Sequence, residues 1–367
     1  MPKTITSSGP GVHGCHKRNG EIELVRFLAA LLILCTHANH FPGCPTLCPE
    51  GRIAVEFFFV LSGYLLAASA SRAASPVNGS QSFLHYETAG FLWHKIKAFW
   101  FELAVACSIG TVIYAFCHWP DSHFIMSKCI DTVFGDVLLL KMTGFVANGV
   151  NPVAWYLSAM VISCAVLYPL IRKFGVSPAY LTLGLLLMGG IYLADDRNCG
   201  FAGVTHWMGF TYKGNLRALS ELLVGVSLYP MAMKLSRLNC ALWLKVLLTL
   251  FKWACWGGMV IYAAFPVYNR VGVVFVCIAA AILLSFSNIC CDKSWYQTRM
   301  SLWLGRLSLP LYLSHHFYAK NLGFFISGGI APALKMAVYL ACSLATALFV
   351  MWAAGQIRQR LSAACRQ

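Results

Sequence analysis

Apolar runs long enough to cross a bilayer recur along this chain, and they constrain its fold more than any other feature. A transmembrane helix needs about 20 such residues, or somewhat fewer with help from neighbouring helices. Ten runs meet that requirement, at about residues 24–40, 53–70, 98–117, 152–171, 178–194, 216–233, 243–264, 270–290, 302–319 and 331–355. The fold class that follows is all-α, a polytopic integral membrane helix bundle of about ten transmembrane helices. Composition agrees: 59% of the 367 residues are hydrophobic, 11% are charged, and mean hydropathy is +0.66. A soluble domain carries about 25% charged and roughly 45–50% apolar residues. A soluble enzyme, a disordered chain and a disulfide-scaffolded secreted domain are excluded.

The net charge of +15 does not indicate a nucleic-acid partner once it is located. An even number of spans puts both termini on one side, and loop arginines and lysines choose that side. With the N-terminus inside, 18 of the 28 basic residues fall in cytoplasmic segments and 9 outside, with Arg26 at the mouth of the first helix. Both termini are therefore expected in the cytoplasm. The organisation expected is a polar N-terminus over 1–20, one membrane unit over 21–355 and a tail over 356–367, with no repeat of 20–50 residues. The first span lacks a small-residue cleavage site and is expected to stay in the protein. Ser75–Ser82 reads as a cytoplasmic loop. The longest external stretch, His118–Pro152, holds an apolar patch, Val137–Val146, that is too short to span and either lies on the surface or dips back between helices. Sixteen cysteines are scattered without metal-binding spacing, many of them inside spans. Cys44 and Cys48 share the first external loop, where an oxidising compartment would permit a disulfide.

Ionisable residues inside a membrane are costly and carry a functional hypothesis by default. Arg26 and His37 stand eleven positions apart in an otherwise apolar helix. At about 100° per residue they return to nearly one face, roughly 16 Å apart along the axis, and His40 lies within about 40° of it. A neutral imidazole there can accept a proton from a hydroxyl; the alternative is a histidine bonded to a neighbouring helix for packing. The second span opens with Gly51-Arg-Ile-Ala-Val-Glu-Phe-Phe-Phe-Val-Leu-Ser-Gly63. Glu56 enters near the depth of His37, where a carboxylate could fix the imidazole tautomer; its other reading is an i,i+4 pair with Arg52. Ser62-Gly63 lacks the setting of a serine nucleophile and reads as a close helix-packing point.

Taken together, the Arg-x10-His helix and the G-x-x-x-V-E-F-F-F-V-L-S-G-Y segment resemble the membrane acyltransferase 3 family. Further stretches agree: Trp155-Tyr-Leu-Ser158 leading to Tyr168-Pro169, Arg217 with Glu221 and Gly225, and Leu304-Gly305-Arg-Leu-Ser308 running to Tyr312 and His315. The resemblance covers residues 20 to 355. Two departures stand out. Ala159-Met160-Val161 replaces a stretch where the family usually has a glutamate, and Pro310 occupies a position usually small or polar, where it could bend the helix. The hydrolase-like domain that commonly follows the bundle in this family is not expected, since the sequence ends at Gln367.

The resemblance implies transfer of an acyl group, usually acetyl from acetyl-CoA, to a hydroxyl on an extracytoplasmic or lipid-linked glycan, at a bacterial cytoplasmic membrane. The acyl-CoA is a co-substrate, and no tightly bound cofactor is implied. Arg26, with Lys95 and Lys97 nearby, would receive the anionic donor; His37, with Glu56, would deprotonate the acceptor or carry the acyl group transiently. Ser62, Trp155, Ser158, Arg217, Glu221, Tyr312 and His315 would line the acceptor site or brace it. Arg217 and Glu221 also read as a plain i,i+4 pair, and Arg306 as a snorkelling anchor. His315 and His316 could join His37 and His40 around a metal, but no metal is expected, for want of carboxylate or cysteine partners. The competing reading is a proton-coupled secondary transporter with Arg26, His37 and Glu56 as its relay, against which no paired halves with matching broken helices are visible.

Overall fold

A computed structural model of the chain describes residues 18–40, 44–45, 47–73, 81–145, 149–195, 203–265, 271–291, 295–324, 326 and 329–364. Among these residues the fold is all-helical, with twelve α-helices: α1 Gly20–His37, α2 Ala54–Arg72, α3 Gln81–Lys97, α4 Trp100–Cys117, α5 Ser122–Asp131, α6 Trp155–Phe174, α7 Tyr180–Ala194, α8 Lys213–Leu235, α9 Leu242–Ala264, α10 Val271–Phe286, α11 Arg299–Asn321 and α12 Pro332–Ala364. Each run read from the sequence falls on one helix, and α3 and α5 are additional. Most of the loop expected at Ser75–Ser82 lies outside the described residues, as do Val146 and the basic residues Lys3, Lys17, Arg197, Arg270, Lys293 and Arg366. The helix expected to end at 355 continues to Ala364.

Among the described residues, six helices (α2, α4, α6, α8, α9 and α12, α2 and α6 each with a flanking 3-10 turn) are long and apolar enough to cross a membrane by length and composition. Helices α7 and α10 are apolar but shorter. The two remaining runs, α1 and α11, carry the most chemistry. Helix α1 holds Glu21, Glu23, Arg26 and His37; α11 holds Arg306, His315, His316 and Lys320. Among the described residues these two pack on each other more extensively than any other pair of helices. Glu21, Glu23, His315 and His316 are thus buried against protein, while Arg306 and Lys320 stay exposed.

Local signals explain where α1 begins. The Asn19 side chain accepts from the backbone N–H groups of Glu21 (3.0 Å) and Ile22 (3.4 Å), and Glu21 and Glu23 sit at the positive end of the helix dipole. Glu21 then fastens α1 to α9 and α10, accepting from Lys252 Nζ (2.6 Å), Trp256 Nε1 (2.9 Å) and Ser285 Oγ (2.6 Å). Lys252, one of the 18 basic residues that the sequence reading sets in cytoplasmic segments, is therefore a buried member of α9. At the other end, Thr36 Oγ1 donates to Cys48 O (2.7 Å), and Tyr339 on α12 donates to Leu34 O (3.0 Å).

Close backbone approach sets the α2–α8 crossing. A Cβ at Gly63 would overlap the carbonyl of Leu222, and one at Gly225 would overlap the carbonyl of Val60. The sequence between α4 and α6 dips back into the bundle. After α5 and a π-turn at Thr132–Val137, Leu139 and Met142 are buried, and Ser158 holds both, donating to Leu139 O (2.6 Å) and accepting from Met142 N (3.1 Å). Ser158 is in this sense a brace for the re-entrant segment. Helix α11 runs unbroken through Pro310. Cys44 and Cys48 are free thiols, with Cys44 Sγ 3.9 Å from Met336 Sδ.

Candidate active site

Four imidazoles meet where α1 and α11 lie side by side. The His37 ring centroid is 5.1 Å from that of His315, 5.2 Å from His316 and 5.5 Å from His40. Histidines 278 and 279 positions beyond His37 reach it because α1 and α11 are packed along their length. The i−4 carbonyls settle the protonation of two of these rings. His37 Nδ1 is 2.9 Å from Ile33 O, and a carbonyl can only accept, so Nδ1 carries the proton and Nε2 keeps its lone pair. His315 Nδ1 likewise faces Leu311 O at 3.3 Å, which leaves His315 Nε2 as an acceptor, 3.3 Å from His37 Nδ1. The His37 ring is thus held from one edge by a carbonyl and a second imidazole. Among the described residues, no three His, Cys, Asp or Glu side chains are placed to hold a metal ion.

This arrangement replaces both sequence readings of Glu56. Its carboxylate is engaged by Arg217 of α8, while Arg52 pairs with Glu50 at 3.0 Å. Arg217 also donates through Nε to Glu221 Oε1 (2.9 Å), and its guanidinium lies 5.6 Å from the centre of the Trp155 ring. All three side chains are buried, Glu56 and Glu221 completely. The groups beside His37 Nδ1 are the Ile33 carbonyl and His315, where the sequence reading had set Glu56. Glu56 instead ties α2 to α8, and Arg217–Glu221 is the i,i+4 pair with a third member from another helix. A spacing argument could not find this partner, since 161 residues separate Glu56 from Arg217.

Two cavities flank the cluster. The larger, about 480 Å³, is lined by His37, His316, Trp155, Lys128, Lys141 and Lys320 among others. The smaller, about 290 Å³, is lined by Arg26, Lys95, Ser62, Tyr156, Met160 and Tyr312 with apolar neighbours from α2 and α11. They abut the same wall. Tyr312 faces the smaller cavity, donates through its hydroxyl to Val153 O (2.8 Å) in the lining of the larger one, and lies 6.0 Å from the His315 ring. Arg26 and His37, on nearly one helix face by their spacing, therefore line different cavities on either side of the Tyr312–His315 wall. Arg26 also pairs with Glu23 at 3.3 Å. Ser62 Oγ lies 3.2 Å from Tyr156 Oη, in keeping with a packing and lining role.

Sequence reasoning missed the lysines of the larger cavity, having counted them only as loop charges. Lys141 is almost fully buried, donating to Asp136 Oδ1 (2.8 Å) and Asn151 O (3.0 Å). A signal was present, since Lys141 lies within the apolar patch Val137–Val146, for which a surface position and a re-entrant one are both open in the sequence. Burial pushes the Asp136 carboxyl above the ordinary carboxylate range, with Lys141 and the Asn151 N–H acting against that shift.

A family model described as an acyltransferase domain, that of the acyltransferase 3 family, matches residues 19–355. No curated protein and no solved structure matches the chain.

Proposed function

The chain belongs to the acyltransferase 3 family, and from that premise we propose that it moves an acyl group, most often acetyl from acetyl-CoA, to a carbohydrate hydroxyl with His37 as general base. Membership supports a membrane acyltransferase; donor, acceptor and base are our reading. One observation carries it: His37 lines the larger cavity with Nδ1–H already committed, so its Nε2 lone pair is the basic atom.

In this reading the acyl-CoA enters the smaller cavity from the cytoplasm, where Arg26 and Lys95 meet its negative charges. The acceptor, an extracytoplasmic or lipid-linked glycan, enters the larger cavity from the opposite side. The thioester end of the donor reaches past the Tyr312–His315 wall to His37, whose Nε2 takes the hydroxyl proton as the oxygen attacks the thioester carbonyl, forming the C–O bond of the ester. The C–S bond then breaks, and the departing CoA thiolate recovers that proton from the imidazolium. His315 accepts from His37 Nδ1–H and stabilises the positive charge on the ring. The enzyme would work in a bacterial cytoplasmic membrane.

Membrane vesicles given acyl-labelled acetyl-CoA should transfer label to membrane glycan, and His37→Ala should lower that rate by about 10²–10⁴-fold while the protein still accumulates in the membrane. Full activity in His37→Ala would remove His37 from the chemistry. Substrate uptake without acylation would instead support the transporter built on Arg26, His37 and Glu56.

A further inference from the structure

The lysines of the larger cavity have no task in the reaction as written. Lys128 comes from α5, Lys141 from the re-entrant segment and Lys320 from the last turn of α11, and all three reach one cavity with His37. Among the described residues lining it there is no aspartate or glutamate. Asp136 answers Lys141 from behind at 2.8 Å. Burial lowers the basicity of the Lys128 ammonium, and the like charges of Lys141 and Lys320 lower it further, against the opposing pull of Asp131 and Asp136. The half-buried Lys128 and the buried Lys141 thus share one cavity with a third cation, the exposed Lys320, and a bound anion would offset the repulsion among them. A fourth group points the same way. His316, 5% exposed, lines this cavity with its Nδ1 lacking any hydrogen-bond partner, and buried polar atoms without partners are uncommon. Trp155 supplies an aromatic surface beside these charges.

We infer that the acceptor taken up in this cavity is an anionic carbohydrate, bearing a carboxylate or phosphate on or beside the sugar whose hydroxyl meets His37. Lys128 and Lys320 engage the anion, the Lys141–Asp136 pair holds the re-entrant wall in place, and His316 Nδ1 pairs with a polar group of the sugar. The inference deepens the acyl-transfer reading and rests on it for the word acceptor; the binding preference can be measured without any turnover. The rival source of negative charge is the phosphate-rich CoA of the donor, which the reading assigns to the Arg26 cavity.

The test is thermal unfolding of the purified full chain in detergent with glucuronate, glucose 6-phosphate, glucose or CoA added in turn. Glucuronate or glucose 6-phosphate should stabilise at concentrations at least tenfold below those at which glucose does. Lys128→Gln with Lys320→Gln should remove that preference and leave the CoA response unchanged. Raising salt from about 50 to 300 mM should weaken the anionic sugars on the unaltered protein, a check that stands even if the double variant fails to fold. Equal responses to charged and neutral sugars, no response to any sugar, or a double variant that loses CoA instead would each overturn the inference. Anionic sugar binding without label transfer from acyl-CoA would keep this site and discard the acyltransferase reading.

Discussion

At the scale of single residues, the site is governed by which polar atoms are already committed. His37 was legible in the sequence because an imidazole eleven positions after an arginine in an apolar helix has few structural excuses. Its partners were not, since they arrive from α11 nearly 280 residues later. In the proposed reaction His315 acts through His37, which makes it a positioning residue with a graded effect. His315→Ala should slow acyl transfer by about tenfold, less than loss of the base itself. His315→Gln, whose amide oxygen can still accept from His37 Nδ1–H, should recover much of the rate; equal defects in both variants would point to packing instead. The Arg217 cluster behaves differently. Removing one member of a buried ionic group strands the others without compensation, at about 3–5 kcal/mol. Arg217→Met should therefore unfold far more easily in detergent, whereas adding Glu56→Gln and Glu221→Gln to it should restore most of the loss. A stable but inactive Arg217→Met would move Arg217 from bracing to substrate contact.

At the scale of helices, apolar length was legible and pairing was not. Ten runs correspond to ten helices, yet length alone says nothing of α1 lying along α11, or of α2 crossing α8 through glycines. Hydropathy underrates α1 and α11 for a physical reason: helices that build a polar site must trade apolar residues for it. Gly63 shows what the α2–α8 crossing demands, because a side chain there meets the Leu222 carbonyl, which cannot turn aside as a side chain could. Gly63→Val should separate α2 from α8 and carry Glu56 away from Arg217, costing at least about 1–3 kcal/mol. Gly90 of α3 faces open space. Gly90→Ala should be neutral or stabilise by up to about 1 kcal/mol through helix propensity alone. Thermal unfolding of the two variants side by side checks the contrast, and an intact Gly63→Val would mean that the crossing is looser than its backbone contact implies.

At the scale of the molecule, charge was read as a count at two faces, and the structure turns that count into two cavities with different chemistry. The smaller sets Arg26 and Lys95 over a largely apolar lining; the larger sets three lysines around a histidine pair. Sequence could place Arg26 and His37 on one helix face but could not show the wall between them, because Tyr312, His315 and Val153 meet only after α6 and α11 pack. In the proposed reaction, two cavities of different lining give each substrate an address of its own. Leu65 lines the smaller cavity and is nearly half exposed, so a larger side chain can be accommodated there without breaking the core. Leu65→Trp should narrow that cavity and raise KM for acyl-CoA several-fold. Thermal stability and the response to anionic sugars should stay as they were, since both depend on other parts of the bundle. If the substitution instead weakens sugar binding and spares the donor, the two addresses are reversed. The lysines would then serve CoA, with Arg26 facing the acceptor.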